Sequence, residues 1–450
     1  MEHRHNTFTR ITGWVLCILF VTAGALRPEE VKKPLFSYHL QAKIALQYIG
    51  LFASGDSSSQ PIPLSFRYDD PATLAGMNVK LYFGQHITVE EDIHFRIKET
   101  LFFQRDQTHN IIDDLGSFNS DIFRRSCLRY QRGNLSVTCG RDRLRFGPGK
   151  QGNLVISDNI PFYDLIGLKY RIVNGSYDFF ITKINHDQSP RFLTFHRIEF
   201  PVKGILKFGL AEANLVHADL YDFANFNPVM VYHNVDRKST NYMFGADVVF
   251  GNKWWKVYAE LGMDDILWNA IEAGAKAPTA IAYQAGAFVS GIGGKNTLSI
   301  SAEFTHVDRY MYITHPKVLM VDTLSFLVNR LYPEVTNCLG DPGIIGYWTG
   351  PNAQNAHLSL EYSGIKKLKV SAGYEFLKQG DRDFAGNEKY LAGVLTKRHL
   401  LSLRADFKVL KYADITGRYS YGSIKNYHFQ HGNNFSVQEL EFKTTFSFSK

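Results

Sequence analysis

The sequence predicts an all-β protein, a transmembrane antiparallel β-barrel of about 16–18 strands with short helical segments. The first indication is a period of two, in which apolar and polar residues alternate, as in residues 358–362 and 401–409. Such a strand has one apolar and one polar face. The second is a recurring segment length of about ten residues, enough for a tilted strand to cross a bilayer. The third is aromatic residues near segment ends, as membrane-interface girdles require: Tyr374, Phe376, Tyr419, Tyr421, Phe446 and Phe448.

The composition fits this class and excludes others. The chain has 450 residues, of which 45% are hydrophobic and 21% charged, with a formal net charge of +7. These values exclude a disordered chain and give no indication of a nucleic-acid partner. The mean hydropathy of −0.19 and a single long apolar run exclude a bundle of membrane helices. A secreted β-sandwich or propeller is the alternative; the long series of membrane-length strands favours the barrel.

The N-terminal apolar run has the layout of a signal peptide. Arg4 and Arg10 make its start basic, an apolar stretch follows, and Ala23-Gly24-Ala25 supplies a small-residue cleavage pattern. The apolar stretch is shorter than the roughly 20 residues of a spanning helix. We therefore expect residues 1–25 to be cleaved on export, and the protein to reside in the bacterial outer membrane.

The rest of the chain divides into two predicted parts. Residues 26–75 are predicted to form an N-terminal helical, periplasmic segment, because residues 34–51 carry Leu40, Ile44, Tyr48 and Leu51 along one stripe of an amphipathic helix. Residues 76–450 are predicted to form the barrel. A second helix is predicted over residues 317–331, packed on the barrel as a plug or loop helix.

Cysteine spacing leaves two alternatives open. Cys127 and Cys139 flank Arg132-Gly133-Asn134, and a three-residue hairpin loop centred on Gly133 would place them directly opposite each other. A disulfide can form at such a pair; the alternative is two reduced, half-buried thiols. The sequence has no CxxC motif and no His/Cys cluster at ligand spacing, so it predicts neither a metal nor another cofactor.

Three arginines alternate before a glycine-rich loop. Arg141, Arg143 and Arg145 are predicted to project from one face of a strand, where a row of guanidinium groups in the lumen could bind anionic or acidic sugars. The alternative is structural salt bridges to facing strands. The loop that follows matches G-x-G-x-x-G, but Pro148 interrupts it and no amphipathic helix follows. A tight structural loop is predicted instead, built on Gly147, Pro148, Gly149 and Gly152.

Two carboxylates also attract attention. Glu212 lies in an otherwise apolar strand and is predicted to face the lumen. Asp264 and Asp265 end another strand, and adjacent residues on a strand point to opposite faces, so they cannot form the carboxylate pair of a glycosidase. No catalytic constellation is recognisable, and the sequence therefore predicts a protein that is not an enzyme.

These segments resemble the Wzi-type capsule assembly proteins. Residues 140–162 (GRDRLRFGPGKQGNLVISDNIPF) are similar to the family's Gly-Arg, Trp-Gly-Pro-Gly and Leu-Leu-Ser-Asn-Ala-Pro-Phe signature. Phe146 stands where the family has Trp, and the chain ends Phe448-Ser449-Lys450 rather than on an aromatic residue. Four further pieces match in order: residues 206–213, Asn227-Pro228, residues 258–266 and residues 346–353.

The resemblance implies an outer-membrane barrel of about 18 strands that holds or organises capsular polysaccharide in a lectin-like way. On this hypothesis Arg141, Arg143 and Arg145 contact anionic groups, and Tyr347 and Trp348 stack on sugar rings. Glu212 and Asp264 are further candidate ligand contacts. The expected partners are outer-membrane lipid and surface or capsular polysaccharide, and a monomer is favoured. The alternative function is a porin or a transporter of solutes or lipids.

Overall fold

The computed structural model describes most of the barrel and part of its connections. Residue placement is described for the following ranges: 36–55, 73–96, 123–158, 163–184, 191–202, 204–217, 224–229, 231–232, 240–264, 280–292, 297–312, 345–380, 391 and 393–449. The predicted signal peptide and the predicted helix at residues 317–331 lie outside these ranges. Within the part of the chain described, no helix is long and apolar enough to cross a membrane.

Eighteen antiparallel strands form one closed sheet. Each strand pairs with the next along the chain, and β1 pairs with β18, so that no edge is left open. The all-β barrel prediction and its upper strand number are confirmed. The strands are β1 (Phe36–Gly55), β2 (Thr73–Phe83), β3 (Ile87–Arg96), β4 (Phe123–Arg132), β5 (Leu135–Asp142), β6 (Tyr163–Ile172), β7 (Gly175–Lys183), β8 (Arg191–Val202), β9 (Leu206–His217), β10 (Thr240–Gly251), β11 (Trp255–Asp264), β12 (Ala280–Ile292), β13 (Leu298–Val307), β14 (Ala353–Ile365), β15 (Leu368–Gln379), β16 (Thr396–Leu410), β17 (Ala413–Lys425) and β18 (Phe435–Ser449).

The first strand corrects one sequence prediction. A helix was expected over residues 34–51, but Phe36–Gly55 is β1, paired with β2 on one side and β18 on the other. Leu40, Ile44 and Tyr48 are spaced by four, and that spacing places residues on one face of a strand as well as of a helix. Pairing with both neighbours decides between the two. The barrel therefore begins at Phe36, before the predicted boundary at residue 76.

The period of two separates the two surfaces of the wall. Leu358, Leu360 and Tyr362 of β14 are exposed on the outside, with 44%, 41% and 42% of their surface accessible. The alternating Ser359 and Glu361 face the lumen, where they bond to Lys150 and Lys369. An apolar exterior around a polar interior suits a barrel surrounded by lipid.

The two ends of the barrel differ in their connections. Short turns close one end, including the two-residue turns at residues 133–134, 173–174, 366–367 and 411–412, whereas the connections at the other end are long. In outer-membrane barrels the short turns face the periplasm and the long loops face outwards. A 3-10 helix, Tyr427–Phe429, lies in the connection between β17 and β18.

The lumen has an apolar half and a polar half. At the long-loop end, buried residues of β6 to β13 and of the loops form a dry core that includes Leu154, Ile156, Phe180, Leu193 and Leu215. Towards the short turns the inward side chains are charged and paired, across strands in most cases and along β16 for Arg404 and Asp406. These pairs include Lys80–Glu90, Arg125–Asp142, Lys169–Asp178, Arg197–Asp247, Lys369–Glu361 and Arg404–Asp406.

The register of β4 and β5 decides between a Cys127–Cys139 disulfide and two reduced thiols. A two-residue turn, with Gly133 at φ +56°, connects the strands and pairs Cys127 with Gly140 and Leu128 with Cys139. The predicted three-residue loop would have shifted the register by one and made the cysteines partners. They instead point to opposite faces, and both are free thiols. Of the two alternatives left open by the sequence, the structure has the reduced thiols.

Candidate functional site

The loop between β5 and β6 folds into the barrel and plugs its long-loop half. We call residues 143–158 the plug. Phe146 packs on Phe180 and Phe195, with ring centroids 5.9 and 4.6 Å away. Leu154 and Ile156 are fully buried. The plug thus joins the barrel wall in one apolar core.

Two carboxylates of the barrel wall hold the plug by its backbone. Glu303 of β13 accepts hydrogen bonds from the N–H groups of Lys150 and Gln151, at 2.6 and 3.1 Å, and from the Tyr258 hydroxyl at 2.5 Å. Glu260 of β11 accepts the N–H of Leu154 at 2.9 Å. Buried N–H groups need such acceptors, because leaving them unpaired costs about 1–3 kcal/mol each. Both carboxylates therefore fix the loop in the lumen.

The tip of the plug reaches across the lumen to the opposite strands. The Nζ of Lys150 donates to Ser301 of β13 at 2.7 Å and to Ser359 of β14 at 3.3 Å. The side chain of Gln151 bonds to His357 of β14 at 3.0 Å. The tip therefore lies at the border between the apolar half of the lumen and its charged half.

The glycines of the plug make its tight path possible. Gly147 adopts φ +133°, a conformation that side chains disfavour. A Cβ on Gly149 would lie 1.8 Å from the carbonyl oxygen of Gly152, and one on Gly152 would lie 3.1 Å from the Tyr347 ring. The loop of Gly147, Pro148, Gly149 and Gly152 thus has a structural role, because it packs closely against the barrel wall.

The three arginines do not form a row on one strand. β5 ends at Asp142, so only Arg141 belongs to it, and its guanidinium pairs with Asp164 of β6 at 2.9 Å. Arg145 pairs with Asp158 at 3.1 Å and donates to the carbonyls of Gly149 and Lys150. These bonds connect different parts of the plug to one another. The strand ends because the chain turns inward to form the plug. Arg143 and Arg145 are exposed, whereas Arg141 is buried.

A second inserted segment carries the two predicted aromatic platforms. Tyr347 is fully buried; its hydroxyl donates to Asn355 at 3.1 Å, and its N–H donates to the Tyr312 hydroxyl at 3.0 Å. The Tyr312 hydroxyl in turn donates to the Leu154 carbonyl at 2.8 Å. Burial raises the pKa of both phenols well above the ordinary value, so both remain donors. Tyr347 fastens the plug and has no free face for a sugar, in contrast to the prediction.

Trp348 keeps part of its surface accessible. It is half-buried and packs against the apolar core of the plug and against a second cluster around Leu377 and Val437. The guanidinium of Arg398, which also pairs with Glu375, lies over its ring at 5.4 Å. This cation–π contact orients the indole at the junction of the two clusters.

Glu212 faces outward, not into the lumen as predicted. Its neighbours on β9, Ala211 and Ala213, belong to the inner core, so Glu212 lies on the other face. It accepts the N–H of Tyr232 at 3.0 Å and bonds to His196 at 3.0 Å, and the Tyr232 ring stacks on that histidine. Tyr232, in the connection between β9 and β10, thus lies against the outer wall, and Glu212 anchors it.

Asp264 is also an anchor. It is fully buried at the end of β11 and accepts the N–H of Tyr312 at 2.7 Å. This bond fixes the connection that follows β13 and leaves Asp264 inaccessible to a ligand in this structure.

Sequence reasoning missed Glu260 and Glu303, the two carboxylates that hold the plug. Both side chains point inward, and the inward residues around them are mostly apolar or small. Ala282 and Gln284 of β12 face inward beside them. Glu212 was noticed because it is a carboxylate inside an apolar strand. Glu260 and Glu303 show the same pattern. What was missing was the knowledge that a loop enters the lumen beside them.

A plugged antiparallel barrel with an apolar outer wall and a polar inner one belongs to the class of outer-membrane β-barrel proteins. Within that class the chain belongs to the capsule assembly protein Wzi family, whose model matches residues 75–438. The described residues of the matching segments lie in β5, β9, β11 and the start of β14, in the plug, and in the connections that follow β9 and β13. The family assignment made from the sequence is confirmed.

A solved structure shows the same fold. Wzi of Escherichia coli, an outer membrane protein involved in group 1 capsule assembly and a carbohydrate-binding β-barrel, superposes with a TM-score of 0.55 at 12% identity. The alignment covers 95% of this chain and 87% of that one. OccD3 of Pseudomonas aeruginosa gives 0.46 at 12% identity over 92% and 91% of the chains. OprD of the same organism gives 0.46 at 9% identity over 92% and 94%. No curated protein matches the chain.

Proposed function

We propose that this protein resides in the outer membrane and there binds or organises a surface polysaccharide, as a lectin-like component of capsule assembly and without catalysis. Support comes from family membership over residues 75–438 and from the E. coli relative, which is described as binding carbohydrate. Residues 1–25 direct export as a cleaved signal peptide, and the apolar wall contacts membrane lipid.

The observation that carries this proposal is the plug. A channel needs a continuous water-filled path, whereas the described part of this lumen holds a dry core at its long-loop end, with Leu154 and Ile156 fully buried. Backbone bonds to Glu260 and Glu303 fix that core to the wall. A barrel closed in this way is suited to holding a ligand rather than passing it.

Three of the predicted contact residues remain candidates for glycan binding. Arg143 and Arg145 are exposed, and Trp348 is half-buried. Arg145 also holds the plug through Asp158 and the Gly149 and Lys150 carbonyls, so that its role is partly structural. Guanidinium groups pair with carboxylate or phosphate on acidic sugars, and an indole packs on the apolar face of a sugar ring. Arg141, Tyr347, Glu212 and Asp264 are engaged in holding the fold, and we assign them structural roles.

Capsule retention in cells tests the proposal. Deletion of the gene from the encapsulated bacterium should release polysaccharide into the medium, and the native gene should restore retention. A variant carrying Arg143→Glu and Arg145→Glu should restore it only in part. The matched control is Arg132→Glu with Lys411→Glu, which makes the same charge change at the exposed short turns. Unchanged retention in the deletion strain would refute the proposed function.

Conductance separates the proposed function from the porin alternative. The purified barrel in a planar bilayer should give no stable open channel, because the plug core excludes water and ions. A steady single-channel conductance of the native protein would favour a solute channel instead.

A further inference from the structure

A cavity lies in the lumen beneath the plug. It has a volume of about 320 Å³, at the lower end of the range of small-molecule sites. Leu144 and Phe146 of the plug line it on one side, and Asn134 of the β4–β5 turn lines it on the other. The cavity therefore extends from the underside of the plug to the short-turn mouth of the barrel, away from Arg143 and Trp348.

The cavity wall carries more cations than carboxylates. Arg129, Lys169 and Arg171 line it, against Asp142 and Asp178. The two carboxylates are already engaged: Asp142 by Arg125 and Arg129 at 2.6 and 2.8 Å, and Asp178 by Lys169 at 2.9 Å. One positive charge is left over on the lining.

Arg171 supplies that surplus charge. It is an exposed, inward-facing residue at the end of β6, and its backbone N–H donates to the Asn134 carbonyl at 2.9 Å, which fixes its position at the mouth. Within the described ranges, its guanidinium has no side-chain partner. A guanidinium in this state can donate two parallel hydrogen bonds to one carboxylate.

The remaining lining suits the other parts of a sugar. Ser136, Thr138 and Gln131 offer hydroxyl and amide groups for sugar hydroxyls. The half-buried ring of Phe146, stacked on Phe180, offers an apolar surface for the C–H face of a pyranose. One carboxylate, several hydroxyls and one apolar face together describe a uronic acid.

We infer that this cavity binds a single acidic sugar unit, a uronate, that enters from the short-turn side of the barrel. The carboxylate pairs with Arg171, and the ring packs beneath Phe146. The inference rests on the proposed function in that the sugar unit would belong to the bound polysaccharide. It adds a second point of contact, on the periplasmic side of the plug.

Ligand titration of the full barrel in detergent tests the inference. Glucuronate and galacturonate are titrated against glucose and galactose as uncharged counterparts, with saturation-transfer NMR as the readout. We expect the uronates to bind more tightly than the neutral sugars, and the binding to weaken with added salt. Arg171→Gln should weaken uronate binding about tenfold, and Arg171→Lys less.

Arg132→Gln is the matched control, since it removes the same charge from the adjacent hairpin turn on the opposite face. Equal losses from Arg132→Gln and Arg171→Gln would show general surface attraction and overturn the inference. So would equal affinity for neutral sugars and uronates. If uronates do not bind while the cells retain capsule normally, the assignment of this cavity as a uronate site is wrong and the proposed function stands. If deletion also leaves retention unchanged, both fail.

Discussion

At the scale of single residues, the plug depends on a glycine whose neighbours leave no room for a methyl group. Gly149 is buried, and a Cβ there would meet the Gly152 carbonyl at 1.8 Å and the Gln284 side chain at 2.3 Å. The backbone of the loop would have to move. Since the plug backbone is bonded to the wall, that movement would disturb the bonds as well.

We therefore predict that Gly149→Ala destabilises the barrel by about 2 kcal/mol. Gly417→Ala is the control, since its Cβ would make ordinary contact with the Phe442 ring at 3.7 Å; it should change stability by less than about 0.5 kcal/mol. Urea unfolding of the purified proteins in detergent measures both. Equal stabilities of the two variants would contradict the close packing of the loop.

Residue roles were only partly predictable from the sequence. Alternation assigned the facing correctly in β14, where apolar and polar residues alternate strictly, as at Leu358 and Ser359. It failed at Arg143 and Arg145, because the strand ends at Asp142 and the chain turns into the lumen. It also failed at Glu212, where the core alanines on either side looked like a lipid-facing pattern. Small residues such as alanine fit either face, so the pattern alone cannot tell one from the other.

At the scale of elements, Glu303 is one of the residues that hold the plug. Three donors converge on this carboxylate: the N–H groups of Lys150 and Gln151 and the Tyr258 hydroxyl. Removing this carboxylate leaves all three donors in the lumen without their acceptor. The inserted position of the plug is then less stable relative to a looser, water-filled arrangement.

Glu303→Ala should therefore lower the free energy of unfolding by roughly 2–4 kcal/mol and produce channel openings that the native barrel lacks. Glu361→Ala is the control, because Glu361 pairs with Lys369 at 2.8 Å and has a half-exposed side chain. That variant should stay closed and lose at most about 1 kcal/mol. Planar-bilayer recordings and urea unfolding provide the two readouts. A closed Glu303→Ala barrel of native stability would show that the plug is held elsewhere.

The β4–β5 hairpin gives a second element-scale prediction. Because its turn has two residues, Cys139 is opposite Leu128 and not Cys127. Both cysteines should therefore react with a thiol-alkylating reagent after denaturation without reductant, as mass spectrometry would show. Leu128→Cys should instead form a disulfide with Cys139 on oxidation. A native Cys127–Cys139 bond would mean that the register differs from the one described.

Elements as a class were easier to predict than their exact ends. The turn length at Gly133 differed by one residue from the prediction, and this was enough to separate the cysteines. β1 was mistaken for a helix because residues spaced by four share a face in both structures. Pairing with β2 and with β18, a strand from the far end of the chain, distinguishes them.

At the scale of the whole molecule, the strand number and the closure were within reach of the sequence. Closure joins β1 to β18, so the sheet is complete only when both ends of the chain are in place. The inward fold of residues 143–158 could not be read from alternation, because it depends on contacts with β11, β13 and the segment after β13. The family signature marked these residues without revealing that they close the barrel.

The central claim is that this closed barrel holds a polysaccharide. Its most direct test is equilibrium binding of the purified capsular polysaccharide of the parent strain to the purified protein in lipid nanodiscs. The account predicts saturable binding that weakens with added salt and is reduced in the variant carrying Arg143→Glu and Arg145→Glu. Absence of binding by the natively folded barrel, or binding identical to that of empty nanodiscs, would contradict it.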